Sequence, residues 1–213
     1  MASPMTATIT PPWGLNLRKS YRAQWWLVFV ALSLPLWWLA YLAFSGGLGA
    51  NPIEAINRFF GDWALRTLLI ALAATPAKIV FGWVWPVRMR RMIGLWAFAY
   101  VALHLSNYIV IDQFFDFSEI WKDIVKRKFI TVGMIAFVIL SMLAATSWNG
   151  AIKRMGAKAW KRLHKLVYMA GALGCLHYIW MVKADTFDPL VHLGILALLL
   201  GVRAVHLGRK MWA

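Results

Sequence analysis

Acidic residues are scarce in this sequence, and cysteine is nearly absent. Asp and Glu together number eight, against 23 Lys and Arg, and Cys175 is the single cysteine. One cysteine forms no disulfide within the chain, and its apolar neighbours predict a small packing residue rather than a reactive thiol. The sequence also contains no Walker loop, GxGxxG segment, CxxC pair or hydrolase triad. These absences exclude an intrachain disulfide and any recognisable NAD(P)H site.

Apolar residues, by contrast, are abundant. They make up 62% of the 213 residues, the mean hydropathy is +0.63, and 14 residues are tryptophan. These values lie outside the usual range for soluble domains and predict a polytopic membrane protein, in which tryptophan gathers at the interfaces. Membrane topology also accounts for the net charge of +15 better than nucleic-acid binding does. Residues 1–23 lack the features of a signal peptide, so we expect a retained cytoplasmic tail.

Six apolar segments are candidate transmembrane helices. They cover residues 24–44, 62–80, 92–111, 129–148, 166–182 and 190–206. The fifth is ~25 Å long as a helix, about the thickness of the hydrocarbon core when its basic flanks snorkel. Before the second segment we expect a short interfacial helix over 52–60, capped by Asn51. The sequence therefore predicts an all-α membrane protein with one six-helix domain over 24–207 and a cytoplasmic tail over 208–213.

The distribution of charge predicts the orientation of the chain in the membrane. With the N-terminus inside, sixteen of the 23 lysines and arginines fall on the inner side, and all eight carboxylates fall outside. An excess of Lys and Arg in cytoplasmic loops sets orientation, and acidic residues add weaker evidence. Lys126, Arg127 and Lys128 run against this rule. We expect six crossings with both termini in the cytoplasm.

Two histidines lie inside predicted spans at matching depths. His104 follows Arg91 by 13 residues in the third span, and His177 follows Lys165 by 12 in the fifth. Because both spans run outward, both rings lie ~18–20 Å above the inner basic edge. A buried imidazole in lipid is expensive unless something takes its lone pair or its proton. Packing against aromatic rings without a metal is one interpretation. Axial ligation of a heme iron is the other, and we favour it.

His164 is a third candidate, at the inner edge of the membrane. It precedes His177 by 13 residues, so on an ideal helix the two rings point ~140° apart. The equivalent positions before His104 hold Arg90 and Arg91, which leaves no inner histidine on the third span. Three interpretations stay open for His164: a basic cluster facing lipid headgroups, ligation of a second heme with an unusual partner, or contact with a quinone or flavin.

Three further residues are weaker candidates. His192 and His206 are 14 residues apart and nearly on one face of the sixth span, but each lies at a span end, where it can reach water. An inner site shared by His206 and His164 is the alternative. Arg66 lies four residues after Asp62, which predicts an ion pair along the helix. Contact with the propionates of a heme is the alternative for Arg66.

Several motifs resemble those of a known family. The segments RRMIGLWAFAYVALHLSNY, TSWNGAIKRMGAKAWKRLHKLVY and LHYIWMVK, with GGLGANP after the first span, are similar to the MsrQ (YedZ) family. That family is the heme-binding membrane subunit of the bacterial periplasmic protein-methionine-sulfoxide reductase system, within the ferric-reductase-like transmembrane superfamily. The resemblance runs from about residue 25 through the sixth span.

The resemblance implies a multi-pass protein of the bacterial inner membrane that binds b-type heme through His104, His164 and His177. It implies electron transfer from the quinone pool, or from a cytosolic flavin reductase, to a periplasmic molybdopterin methionine-sulfoxide reductase that repairs oxidised envelope proteins. FMN binding is also implied, without an assignable residue. In the wider superfamily the third and fifth helices each supply two histidines. Because Arg90 and Arg91 stand at the inner position here, the resemblance supports one heme on His104 and His177 and leaves a second one open.

Two other functions stay as alternatives. A stand-alone transmembrane ferric or quinone reductase would act without a partner, whereas a scaffold or permease with proton-relaying histidines would bind no heme. No catalytic residue is predicted, because the chemistry on methionine sulfoxide belongs to the partner in the favoured interpretation.

Overall fold

The computed structural model describes residues 17–182 and 186–211, with side chains from residue 21 onward. Most of the predicted N-terminal tail, residues 1–16, lies outside the described residues, as do residues 212–213 of the C-terminal tail. Every regular element within the described ranges is helical. The elements are α1 (Leu17–Ser45), α2 (Pro52–Phe81), α3 (Trp85–Ser106), a π-helical segment (Asn107–Asp112), α4 (Phe117–Lys126), α5 (Lys128–Ala145), α6 (Asn149–Met155), α7 (Ala157–His164), α8 (Leu166–Met181) and α9 (Phe187–Met211).

The long helices have the length and composition of membrane spans. Among the residues that the structure describes, five stretches qualify, namely Tyr21–Phe44, Pro52–Phe81, Trp85–Asp112, Lys128–Ala145 and Phe187–Met211. Large apolar side chains stay exposed on them, such as Leu34 at 57% and Leu198 at 67%, as expected for surfaces that face lipid. Helix α8 has 16 residues, or about 24 Å at the usual rise. The chain is a multi-pass membrane protein, and a sixth crossing by α8 stays a prediction.

One expectation about the connections was wrong. The predicted interfacial helix over 52–60 is not separate, because α2 runs unbroken from Pro52 to Phe81. Its predicted cap is confirmed, since the side chain of Asn51 accepts a hydrogen bond from the backbone N–H of Glu54 at 3.3 Å. The basic residues after the fourth span form two short helices, α6 and α7, which meet at Gly156, where φ is +78°.

The apolar core joins α2, α3, α5, α8 and α9. One cluster contains Leu68, Ala97, Ile139, Leu140, Leu143 and Ala170. A second contains Leu65, Leu69, Leu72, Cys175 and Leu196. Cys175 is fully buried and has no disulfide partner, which confirms the packing role predicted for it. Helix α2 packs most extensively on α3, and α5 packs most extensively on α8. The helices that carry His104 and His177 thus each lie against a helix that has no predicted histidine ligand.

The connection after α3 is held by polar contacts. The helix changes directly into the π-helical segment, and the backbone N–H of Asn107 bonds to the carbonyl of His104. The hydroxyl of Tyr108 donates to Asp123 of α4 at 2.8 Å. The hydroxyl of Thr131 on α5 donates to the carbonyl of Ile124 at 2.5 Å. These two bonds hold α4 against the π-helical segment that follows α3 and against the first turn of α5.

Candidate metal centre

The structure brings the side chains of His104 and His177 together. His104 projects from the last turn of α3 and His177 from the second half of α8. Their ring centroids are 6.2 Å apart, and the ring planes are nearly perpendicular at 85°. The two residues are 73 positions apart in the chain, so only the helix packing creates this pair. The predicted match in depth is therefore confirmed, while the role of the two rings as ligands stays a prediction.

Each of the two rings is oriented by a backbone carbonyl of the neighbouring helix. Nδ1 of His104 lies 2.9 Å from the carbonyl oxygen of Asn57 in α2. Nδ1 of His177 lies 2.7 Å from the carbonyl oxygen of Phe129 in α5. A carbonyl only accepts, so both Nδ1 atoms must donate. In a neutral imidazole this leaves the lone pair on Nε2, and neither Nε2 has a hydrogen-bond partner among the residues that the structure describes.

This arrangement fits an iron that is held between two imidazoles. A ligand nitrogen lies about 2 Å from a transition metal and the ring centre roughly 1 Å farther, so two axial rings have centroids about 6 Å apart. The observed 6.2 Å agrees with this value. A hydrogen bond from the second ring nitrogen to a carbonyl is also the usual support of a metal-bound histidine. No group of three or more His, Cys, Asp or Glu residues within the described chain is arranged for a metal ion. Two ligands suffice where the metal brings its own equatorial donors, as heme iron does.

His164 lies apart from this pair, in a second environment. Its ring stacks on Trp160 with centroids 3.8 Å apart. Its Nδ1 lies 3.1 Å from the carbonyl of Trp160, one turn earlier in the same helix, and its Nε2 lies 3.4 Å from the hydroxyl of Ser147. Partial burial lowers the pKa of His164, and the nearby Arg90 and Arg91 lower it further, against two backbone contacts that raise it. The environment of His164 therefore favours the neutral form of its ring.

His164 lines a cavity that is rich in positive charge. The cavity has a volume of about 410 Å³ and lies between α2, α3, α5, α7, α8 and α9. Its cationic lining residues are Arg90, Arg91, Lys161, Lys165 and Arg203, and no Asp or Glu lines it. The guanidinium of Arg91 donates to the carbonyl of Ser147 at 2.5 Å and to Asn149 at 2.9 Å. An anionic group is therefore the kind of ligand that this cavity favours.

Arg203 is a residue of this cavity that the sequence interpretation missed. It donates to the hydroxyl of Tyr168 and, at 2.5 Å, to the carbonyl of Leu72, but its buried Nε has no partner in the described structure. The signal was present in the sequence. An arginine inside an apolar span is a functional candidate by default, whereas Arg203 was counted only as one of the inner charges.

The weaker candidates are resolved in part. His192 does not reach water as predicted, because it is 7% exposed and bonds through Nδ1 to the carbonyl of Asp188 at 2.7 Å. His206 does not line the cavity that contains His164, so the alternative of an inner site shared by these two histidines has no support. Arg66 lies 3.9 Å from Asp62 and above the ring of Trp63. The predicted ion pair is thus confirmed, although the distance is long.

Comparison with known proteins identifies the family. The family model of the ferric reductase like transmembrane component matches residues 60–175. The chain is 56% identical over 183 residues to the protein-methionine-sulfoxide reductase heme-binding subunit MsrQ of Rhodospirillum rubrum, covering 86% of this chain and 88% of that protein. It is 48% identical over 208 residues to the protein of the same name from Herminiimonas arsenicoxydans, covering 97% and 92%.

A more distant relative agrees. The MsrQ heme-binding subunit of Deinococcus radiodurans is 44% identical over 166 residues, which cover 78% of this chain and 82% of that protein. No solved structure matches the chain. The family model spans more than half of the sequence, and the curated relatives align over most of it. The chain therefore belongs to the MsrQ family of heme-binding subunits, whose membrane part is a ferric-reductase-like transmembrane domain.

Proposed function

We propose that this protein is a membrane cytochrome b that holds one heme between His104 and His177 and passes electrons outward across the bacterial inner membrane. The observation that carries the proposal is the facing pair of imidazoles. Their centroids are 6.2 Å apart, and each Nδ1 is tied to a backbone carbonyl. Heme iron supplies one-electron redox chemistry when it is bound at such a pair. The protein itself breaks no substrate bond.

The residues around the pair set the properties of the site. The carbonyls of Asn57 and Phe129 fix the tautomer and the direction of each ring, which makes Nε2 the ligand atom. Arg66, on the outer part of α2, is half exposed and only loosely paired with Asp62. Its guanidinium is the cation that we assign to the heme propionates, because bidentate donors suit carboxylates.

The cationic cavity around His164 is the donor side in this proposal. Six crossings with both termini in the cytoplasm place this cavity on the inner side and the histidine pair toward the outer side. Five cations and no carboxylate line the cavity, which suits an anionic or polar redox partner. A second heme ligated by His164, an FMN and the head group of a quinol are the three occupants that we consider. Electrons then come from the quinone pool or from a cytosolic flavin reductase.

The acceptor is a periplasmic methionine-sulfoxide reductase subunit that carries a molybdopterin cofactor. The support is the name of the relatives, which are heme-binding subunits of a protein-methionine-sulfoxide reductase. The chain supplies electrons, and the partner reduces methionine sulfoxide in oxidised envelope proteins. In this proposal the electrons pass through the heme, so electron delivery depends on His104 and His177.

Proteoliposomes test this function. The full-length protein is reconstituted with heme and a reduced quinol in the bilayer, the catalytic methionine-sulfoxide reductase subunit is added outside, and methionine formation is measured. We expect methionine to form only when protein, quinol and partner are all present, and His104→Ala to reduce the rate to background. His192→Ala is the matched control, because His192 is buried and tied to its own helix.

Two results would contradict the proposal. Reduction of a ferric chelate by protein and quinol alone, at a rate that the partner does not change, would indicate a stand-alone reductase. A purified protein that stays colourless after expression with ample heme, with unchanged function in His104→Ala, would indicate a scaffold or permease.

A further inference from the structure

We propose that Gly61 and Gly133 are positioning residues for the heme ligands. Each glycine leaves open the space through which a histidine of one helix reaches a backbone carbonyl of the neighbouring helix that carries the glycine. The proposal rests on the proposed function in taking His104 and His177 as ligands. It concerns the two glycines, which have not been assigned a role above.

The two glycines have the same relation to the two histidines. His104 bonds to the carbonyl of Asn57, and Gly61 is four residues after Asn57 in α2. His177 bonds to the carbonyl of Phe129, and Gly133 is four residues after Phe129 in α5. The chain thus uses one pattern twice, in two helices that do not resemble each other otherwise. A repeated offset of this kind indicates a geometric requirement.

Helix geometry explains the offset of four. In an α-helix the carbonyl of residue i already accepts the N–H of residue i+4. The carbonyl has a second lone pair, so an imidazole can share it. However, every Cα–Cβ bond tilts toward the N-terminus, so the Cβ of residue i+4 lies over the turn that contains this carbonyl. A ring that approaches from the side therefore needs a residue without Cβ at position i+4.

The available space confirms that these positions are crowded. A Cβ at Gly133 would lie 2.7 Å from Nδ1 and 2.9 Å from Cε1 of His177. A Cβ at Gly61 would lie 3.3 Å from the same two atoms of His104. Both glycines thus face the Nδ1–Cε1 edge of a ring. An alanine at Gly133 would have to displace the ring, whereas an alanine at Gly61 requires a movement of only a few tenths of an ångström.

The other histidines with bonded rings provide an internal contrast. His164 bonds to Trp160 and His192 to Asp188, each four residues earlier in its own helix. Such a bond runs along the helix and crosses no interface, so it needs no open position on a neighbour. Among the histidine-to-carbonyl bonds of the described residues, the two that cross between helices are the two with a glycine at i+4.

Alanine substitutions test the proposal. Gly133→Ala and Gly61→Ala are compared with Gly194→Ala in α9, where a Cβ would meet nothing within 4 Å. For the full-length protein, heme per polypeptide is measured by pyridine hemochrome, and the g-values of the ferric heme by EPR. Thermal unfolding is measured on protein prepared without heme. The g-values report the orientation of the ligand rings, which a general loss of packing does not change.

We expect a graded effect. Gly133→Ala should lower heme affinity by about 10–100-fold, as loss of a partner that orients a ligand does, and any heme that still binds should have shifted g-values. Gly61→Ala should bind heme but shift the g-values by less. Gly194→Ala should match the wild type. Alanine favours helix over glycine, so without a clash all three variants would be more stable when heme-free. We expect Gly133→Ala alone to unfold at a lower temperature than the wild type.

The outcomes separate this proposal from the proposed function. Wild-type protein that binds heme, together with a Gly133→Ala variant that has the heme content and g-values of Gly194→Ala, would overturn the role of the glycines and leave the cytochrome intact. Wild-type protein without heme would overturn the cytochrome. In that case the thermal unfolding of the heme-free protein tests the role of Gly133. A Gly133→Ala variant as stable as Gly194→Ala would contradict a clash between the new Cβ and the ring of His177, and a less stable variant would support it.

Discussion

The histidine pair, on the predicted outer side, and His164, on the predicted inner side, are held in opposite ways. His104 and His177 each bond to a carbonyl of a neighbouring helix, and their ring centroids lie 6.2 Å apart. His164 bonds to its own helix and stacks on Trp160, and the charged residues that share its cavity are all cations. The outer pair thus has the arrangement that we propose for two ligands of one metal. The inner site offers a single imidazole within a positively charged cavity.

This difference indicates two separate tasks. Two neutral imidazoles that face each other select a metal with two open axial positions. A cationic cavity with one imidazole selects an anionic group, whatever its redox centre. The variants below test this division, because each one changes one end of the bundle and is expected to leave the other end unchanged.

The largest effect is expected from removal of an outer ligand. His104→Ala and His177→Ala should each abolish the α-band of the outer heme, because a single remaining imidazole leaves one axial position of the iron open. The measurement is a reduced-minus-oxidised spectrum of the purified protein. His192→Ala should retain the band, since its ring is tied within α9. An unchanged α-band in His104→Ala or His177→Ala would contradict the role of that histidine as a ligand of the outer heme.

A smaller effect is expected at the inner end from Arg91→Gln. Its guanidinium donates to Ser147 and Asn149 in the connection between α5 and α7, and loss of these bonds should cost about 2 kcal/mol in an exposed setting. The melting temperature should fall by about 4–8 °C, while the outer α-band stays. Arg209→Gln, in the exposed last turn of α9, is the control. Loss of the α-band would show that the two ends are coupled.

Tyr108→Phe tests the outer end without touching a ligand. Its hydroxyl donates to Asp123 at 2.8 Å and helps to hold α4. Loss of this bond should cost about 1 kcal/mol in the free energy of unfolding. The α-band and its position should not change, because both carbonyls that orient the ligands are elsewhere. Tyr41→Phe, on an exposed part of α1, should have no effect on stability.

Arg66→Gln is expected to have the smallest effect. Reduction adds an electron, so loss of a nearby cation should lower the reduction potential of the outer heme. Because the side chain is 43% exposed, solvent screening limits the effect to about 0.5–1 kcal/mol, or about 20–40 mV for one electron. A potentiometric titration measures it. Arg58→Gln is the control, since Arg58 pairs with Glu54 at 2.6 Å; equal shifts in both variants would contradict the assignment to the propionates.

Much of the outer site could be predicted from the sequence, because depth in a membrane follows from counting residues along a helix. The distances from Arg91 to His104 and from Lys165 to His177 predicted both rings at one level, and the packing of α3 and α8 on α2 and α5 brings the two rings together. The all-helical fold followed in the same way from the apolar segments. By contrast, the carbonyls of Asn57 and Phe129 have no signature in their own residue types, so the sequence interpretation did not identify them.

The inner end was harder to predict for a physical reason. Segments rich in basic residues and glycine form short interfacial helices or loops with similar ease, so α6 and α7 were interpreted as a connector. The cavity around His164 also depends on Arg203, which arrives from α9, about 40 residues later in the sequence. Its pairing with Tyr168 and Leu72 is a product of the three-dimensional packing.

The most direct test of the division between the two ends is low-temperature EPR of the oxidised protein in wild type, His164→Ala and His104→Ala. We predict a low-spin ferric signal from two imidazole ligands in the wild type, retained with the same g-values in His164→Ala and absent in His104→Ala. Retention of this signal in His104→Ala together with its loss in His164→Ala would place the heme at the inner cavity and contradict the central claim.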